Sequence, residues 1–203
     1  TFDFYLACGL INSSYIGNSQ AVNAVQNSVL GYCPSVQYGV FLSNHDQKRV
    51  MNDFEQDVGM AKVAASMLLT NPGIPFIYYG EEIGMIGDKP DECIRTPMQW
   101  EATIRESSFM LGKDCKTNAE RFNVAAQTAD SNSLLSHYRN LIDLRNTHSA
   151  LRTGEFKAVF SSAATVYSFV RYDAGESLLV IINLSPDAVS DYRLTLEQGP
   201  FSG

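Results

Sequence analysis

Cationic side chains are scarce in this chain. Fifteen lysines and arginines stand against 22 aspartates and glutamates, a formal charge of −7. That balance excludes the basic surface on which nucleic-acid binding depends, and it suits a neutral ligand. Long apolar runs are missing as well. Although 45% of the residues are apolar, no stretch approaches the ~18 residues of a membrane span, so no membrane partner is expected. Thr1 leads straight into Phe2-Asp3-Phe4-Tyr5 without a basic leader or signal-peptide pattern. The three histidines are scattered, and none of the four cysteines forms a Cys-x-x-Cys pair, so no metal site is expected. The cysteines fall as two loose pairs, Cys8/Cys33 and Cys93/Cys115. Two local disulfides at this spacing would suit an extracytoplasmic or secreted protein. Other connectivities and free thiols fit the spacing equally well. Internal repeats and low-complexity segments are also absent.

What is present is a globular composition in 203 residues, enough for one large domain or for one domain and part of another. Ser19 is placed to cap a helix over residues 19–30, where Val22, Val25 and Val29 recur three and four apart. Residues 36–42 read as a strand. A helix over 57–69, rich in Ala and Met and apolar on most sides, reads as buried. Asn71-Pro72-Gly73 stops it, and residues 74–79 read as the next strand. One helix between two strands whose starts lie 38 residues apart fits a parallel crossover. Residues 82–132 show little periodicity and read as a functional loop or as small elements. A helix follows over 133–148, with Ser133 as its cap. Beyond Thr153 the period changes to two, giving strands over 156–160, 165–172, 178–184 and 192–196, with a hairpin turn at 172–176. A run of strands after βα units indicates a second, all-β domain.

Three clusters carry chemistry. The apolar run 36–42 ends abruptly in Asn44-His45-Asp46, so that an amide, an imidazole and a carboxylate stand at the carboxyl end of a buried strand. Active sites of parallel α/β folds lie there; the plain alternative is turn chemistry before a helix. In the second cluster, Pro75 cannot donate to a ladder, which an early strand position tolerates. Tyr79 offers a ring for a sugar face. Glu81 is expected to emerge beside Asp46, or else to be a solvated turn residue. The third cluster, residues 88–100, is a stiff loop holding Arg95 between two prolines and the single tryptophan, Trp100.

Asn44-His45-Asp46, then Gly73-Ile74-Pro75-Phe76-Ile77-Tyr78-Tyr79-Gly80-Glu81-Glu82, then Arg95-Thr96-Pro97-Met98-Gln99-Trp100 together resemble the α-amylase family of glycoside hydrolases. The last cluster resembles the branch containing oligo-1,6-glucosidases and some α-amylases. Thr1–Ala7, residues 123–127, 133–139 and 141–145 resemble further segments of the same family in order, so nearly the whole chain is covered. The resemblance implies an α/β fold: part of a (β/α)8 TIM barrel, about strands six to eight, over residues 1–152. Part of an all-β sandwich would follow over 153–203. It implies retaining hydrolysis or transfer at α-glucosidic bonds, on an α-linked glucose oligosaccharide or polysaccharide. Asp46 would be the transition-state stabiliser, with His45, Asn44, Tyr79 and Arg95 binding substrate. Arg49, near the motif, would bind there or pair with a carboxylate at the rim.

A retaining mechanism needs a carboxylate nucleophile and a carboxylic general acid. The family carries them on its fourth and fifth strands, and no Gly-x-Arg-x-Asp motif occurs here. Both are expected upstream of Thr1, leaving these 203 residues inactive alone. No cofactor is expected in this chain; the resemblance leaves room for a structural calcium site in the upstream part. Exposed sheet edges would make the isolated chain self-associate. The alternative is a non-catalytic carbohydrate-binding or structural interaction module that reuses the fold.

Overall fold

A computed structural model describes residues 1–34, 37–103, 115–197 and 199. Residues Thr1–Asp3 run beside Gly39 as a parallel bridge: the Asp3 N–H donates to the Gly39 carbonyl (3.0 Å) and the Gly39 N–H to the Thr1 carbonyl (2.8 Å). Asp3 then caps helix α1, Phe4–Ile16, its carboxylate accepting the Leu6 N–H at 2.7 Å. Helix α2 covers Gln20–Tyr32. Ser19 precedes it, yet its side chain makes no capping bond. Asn18 Oδ1 takes the Gln20 N–H (2.8 Å) and Ser13 Oγ takes the Val22 N–H (3.0 Å). Two neighbours have thus satisfied the orphan donors that Ser19 was expected to serve.

Strand β1 is Gly39–Phe41, shorter than the expected 36–42; Val36 lies outside the described residues. After a short helix α3, Val50–Asp53, helix α4 runs Val58–Thr70 with Asp57 as its cap. Its buried Ala64, Ala65, Met67 and Leu68 bear out the all-round apolar reading. Strand β2, Ile74–Phe76, pairs with β1 in parallel, Gly39 opposite Ile74 and Phe41 opposite Phe76. Ile74 donates to the Tyr38 carbonyl, so the next position, Pro75, turns its missing donor away from β1, and the ladder loses nothing. The chain leaves the ladder after Phe76, three residues before the expected end, and enters a 3₁₀ turn at Glu81–Ile83. Gly80 permits that exit at φ 82°; a Cβ there would lie 2.2 Å from Met85 Sδ.

Residues 82–132 do hold small elements: helix α5, Asp91–Ile94, and helix α6, Val124–Thr128, while 104–114 lie outside the described residues. A disulfide joins Cys93 to Cys115. Cys8 and Cys33, the other expected pair, are both free thiols. Helix α7, Leu134–Thr147, is capped by Ser133 Oγ on the Ser136 N–H, as expected. Helix α8, Ser149–Thr153, leads into the strands β3, Glu155–Ala158, β4, Phe160–Ser161, β5, Val166–Tyr172, β6, Ser177–Asn183, and β7, Leu194–Thr195. They form an antiparallel sheet in the order β3-β5-β6 and a second pair, β4-β7. The expected 156–160 strand is split at Val159, and the hairpin turn falls at 173–176, inside the expected 172–176, with Tyr172 still in β5.

Leu6, Leu10, Val40, Leu68, Tyr138, Tyr167 and Phe169 belong to one buried cluster, so β5 packs into the same core as the helices. Burial of each such large side chain contributes roughly 1.5–3 kcal/mol. Two buried guanidiniums stitch the core. Arg145 donates to the carbonyls of Leu69, Asn71 and Gly73, and Arg171 to those of Thr70 and Gly154. No helix among the described residues is long and apolar enough to cross a membrane.

Candidate functional site

The carboxyl end of β1 turns sharply because Asn44 builds the turn. Its Oδ1 accepts the Asp46 N–H at 2.9 Å, and its Nδ2 donates to Gln47 Oε1 at 3.1 Å. The turn reading and the site reading therefore coexist: Asn44 spends its amide on presenting His45 and Asp46. Both are exposed, with His45 Nε2 3.3 Å from Asp46 Oδ2. Arg95 reaches them across 49 residues, its Nε donating to the His45 carbonyl (3.0 Å) and its Nη2 lying 3.2 Å from Asp46 Oδ1. The structure thus brings Asn44, His45, Asp46 and Arg95 together.

Arg95 Nη2 is shared with Asp91 Oδ2 at 3.0 Å, one helical turn earlier. A hydrogen bond from Lys89 chiefly holds the Asp91 carboxyl below its usual range, and Arg95 adds to this. These charges are exposed, so each pair is individually weak. Position is supplied from beneath. Buried Arg49 donates to the carbonyls of Ile94 (3.0 Å) and Tyr79 and lies over the rings of Tyr78 and Tyr79, 4.6 and 4.7 Å from their centroids. No carboxylate pairs with it among the described residues, contrary to the rim expectation.

The motif opens on a cleft of roughly 310 Å³ lined by Phe2, Phe4, Phe41, Phe76 and Tyr78. Its rings meet edge to face, Phe2 4.7 Å from Phe76 and Phe4 5.0 Å from Phe41. Tyr79, the expected stacking ring, is not part of this wall. Arg49 covers one of its faces, and its hydroxyl donates to the Thr96 carbonyl at 2.7 Å. Tyr78 stands in its place, and burial pushes its hydroxyl up to about 12. Trp100 is exposed. Among the described residues lining the cleft, Asp46 is the single carboxylate.

Glu81 is neither beside Asp46 nor in solvent. It lies buried beneath the turn, accepting the Ser43 hydroxyl (3.0 Å) and the Tyr138 hydroxyl (2.9 Å), and burial raises its carboxyl to about 7. Sequence reasoning missed this support, the Asp91 partner and the phenylalanine wall. Asp91 stands four residues before Arg95, a helical pairing distance that was legible. The alternation Phe2-x-Phe4 carried a strand signal. Among the described residues, no group of three His, Cys, Asp or Glu side chains is arranged to hold a metal ion.

The model of the alpha-amylase catalytic domain matches residues 11–154. Alpha-amylase 3 of Dictyoglomus thermophilum is 36% identical over 148 residues, covering 72% of this chain and 30% of that protein. An oligo-1,6-glucosidase of Halalkalibacterium halodurans is 29% identical over 187 residues, covering 71% of this chain and 33% of that protein. The crystal structure of an alpha-amylase from H. orenii superposes with a TM-score of 0.81 at 36% identity, covering 91% of this chain and 38% of that one. The chain therefore spans about a third of the length of the relatives it matches.

Proposed function

Since the chain belongs to the alpha-amylase family of glycoside hydrolases, whose catalytic domain is a TIM barrel, we propose that it supplies the sugar-gripping rim of a retaining enzyme acting on α-linked glucose oligosaccharides or polysaccharides. Residues 1–152 would be barrel, about strands six to eight, and residues 153–203 the start of a sandwich. The carrying observation is the convergence of His45, Asp46 and Arg95 over an aromatic-walled cleft at the end of β1. Asp46 would grip sugar hydroxyls most strongly as charge develops in an oxocarbenium-like transition state, with His45 and Arg95 donating alongside. Asn44 would act through the turn, and Tyr78 would stand where Tyr79 was expected.

A retaining step needs a nucleophile and an acid whose carboxyl groups stand about 5 Å apart. Among the described residues lining the cleft there is no carboxylate besides Asp46, the proposed stabiliser, which supports the reading that nucleophile and general acid come from outside residues 1–203. Alone, these residues would not hydrolyse glucans. The Cys93–Cys115 disulfide favours an extracytoplasmic setting.

The test extends the chain upstream through the family's two missing carboxylates. That protein should cleave maltooligosaccharides with retained anomeric configuration, read by proton NMR, and Asp46→Asn should cost about 10²–10³ in kcat. The unextended chain should release no sugar. An Asp46→Asn enzyme as active as its parent would sink the assignment, and an extended chain that binds but never cleaves would leave a non-catalytic binding module.

A further inference from the structure

Arg49 follows His45 by four residues, is 1% exposed, and pairs with no carboxylate among the described residues. A buried cation without a counter-charge is unfavourable, so what its donors hold is informative. Its backbone N–H donates to the Gly87 carbonyl at 2.8 Å, which fixes where the side chain sets out. Two glycines leave the guanidinium its channel. A Cβ on Gly80 would lie 3.2 Å from Arg49 Nη1, and one on Gly87 would lie 3.2 Å from its Cδ. Within that channel Nε donates to the Ile94 carbonyl and Nη1 to the Tyr79 carbonyl, and the guanidinium lies over the rings of Tyr78 and Tyr79.

These contacts converge on one neighbour, Arg95. Ile94 precedes it and gives its carbonyl to Arg49. Thr96 follows it and gives its carbonyl to the Tyr79 hydroxyl, while Arg49 holds the ring and the main chain of Tyr79. The peptide units on both sides of Arg95 are therefore anchored, and its side chain is the free arm. That arm returns to the His45 carbonyl (3.0 Å) and to Asp46 Oδ1 (3.2 Å). The result is a closed circuit, from the turn to Arg49, across to α5, and back to the turn. Exposed ion pairs hold a geometry poorly by themselves, because water and side-chain entropy compete. The buried limb of the circuit supplies what the exposed limb lacks. The Cys93–Cys115 disulfide fastens α5 separately, so cutting the circuit should free Arg95 without detaching that helix.

We propose that Arg49 and Tyr79 are positioning residues, a clamp that holds the Arg95 guanidinium against Asp46, and that neither touches the sugar. What the clamp serves, the binding and cleavage of an α-glucan, rests on the proposed function. The clamp itself does not.

Hydrogen exchange read by mass spectrometry on residues 1–203 tests the clamp without any activity. The reporters are the Cys93 and Arg95 amides, bonded to the Pro90 and Asp91 carbonyls. Arg49→Met keeps bulk and drops the fork; it should speed exchange there about tenfold and leave α4 and α7 as they were. Tyr79→Phe removes only the hydroxyl of a ring that is 39% exposed, so the fold should persist. It should act in the same place more weakly, which guards against an arginine variant that fails to fold. Unchanged exchange at those amides in Tyr79→Phe, or a rise shared by the whole chain, would overturn the clamp.

A mutant cycle in the upstream-extended enzyme tests its purpose. Arg49→Met should lower kcat/KM about 10²-fold, the scale of loss for a misplaced group, and Arg95→Ala should cost about as much. Arg49→Lys should recover little, because an ammonium cannot serve two carbonyls and two rings together. In the Arg95→Ala background nothing is left to position, so Arg49→Met should cost no more than about twofold. A further loss of about 10²-fold in that background would make Arg49 a general structural residue and overturn its role. If the extended protein binds maltoheptaose and never cleaves it, the proposed cleavage falls, and the same cycle read on Kd decides the clamp.

Discussion

Glu81 is the residue whose chemistry departs furthest from its free behaviour. It is buried, hydrogen-bonded by Ser43 and Tyr138, and its carboxyl is raised to about 7, burial outweighing the two donors. A carboxyl raised on folding stabilises the native state below its unfolded pKa, because the native state holds the proton more tightly. That stability is lost as pH rises through the folded value. From about pH 4.5 to 7, Glu81 alone should therefore cost on the order of 3 kcal/mol. Glu81→Gln keeps an acceptor for Tyr138 and a donor for Ser43 while removing the charge. Its urea midpoint should fall much less than the parent's between pH 5 and 8. Parallel pH curves for the two proteins would sink the argument. A residual slope of the same sign should remain in the variant, since burial also raises Glu82. None of this was legible in the sequence, because the partners of Glu81 stand 38 and 57 residues away. Asn44-His45-Asp46 and Arg95 were legible because polar chemistry interrupts apolar or rigid chain there. Which of two adjacent tyrosines faced the cleft was not, since it depends on where the backbone leaves β2.

Among the elements, the C-terminus of α4 is the one with the most to satisfy. Its last carbonyls have no intrahelical donors, and burial removes water as a substitute. Arg145 from α7 takes the carbonyls of Leu69, Asn71 and Gly73, while Arg171 from β5 takes that of Thr70. Positive charge also suits the negative end of the helix dipole. Arg145→Met should destabilise by ~3 kcal/mol or more, because several buried acceptors lose a charged donor together. Arg145→Lys should recover little of that loss, since a compact ammonium cannot reproduce the planar fork. Denaturant melts of both variants check this, and a lysine variant as stable as the parent would refute the fork argument. The bodies of α2, α4 and α7 could be read to within a residue or two from their spacing, and the cap at Ser133 fixed one start. Strands β1 and β2 came out shorter than their apolar runs, because ladder length is decided by the partner strand rather than by local composition. The period-two stretches β5 and β6 matched closely, each having a partner joined by a tight turn.

The whole molecule leaves one side of its parallel sheet unpartnered. Strand β2 pairs only with β1 among the described residues, so its other edge offers free backbone groups. Ile74 and Phe76 on that strand, and Phe2 and Phe4 beside β1, are about half exposed, although each is large and apolar. An edge strand with an aromatic face is a template for pairing, and natural folds normally cover one. In the proposed enzyme the rest of the barrel would provide the cover, and the phenylalanine wall would become part of a closed interior. By itself the chain should pair edge to edge with copies of itself. Sedimentation velocity should show association growing with concentration. Phe76→Lys, which sets a charge on the open edge, should shift the chain toward monomer without loss of helical signal. The upstream half of the barrel added in trans should do the same for the unaltered chain, and should bring glucan cleavage with it. A monomer that persists at high concentration would mean that the exposed edge of β2 is protected by some other route, and the argument from the open sheet would fail.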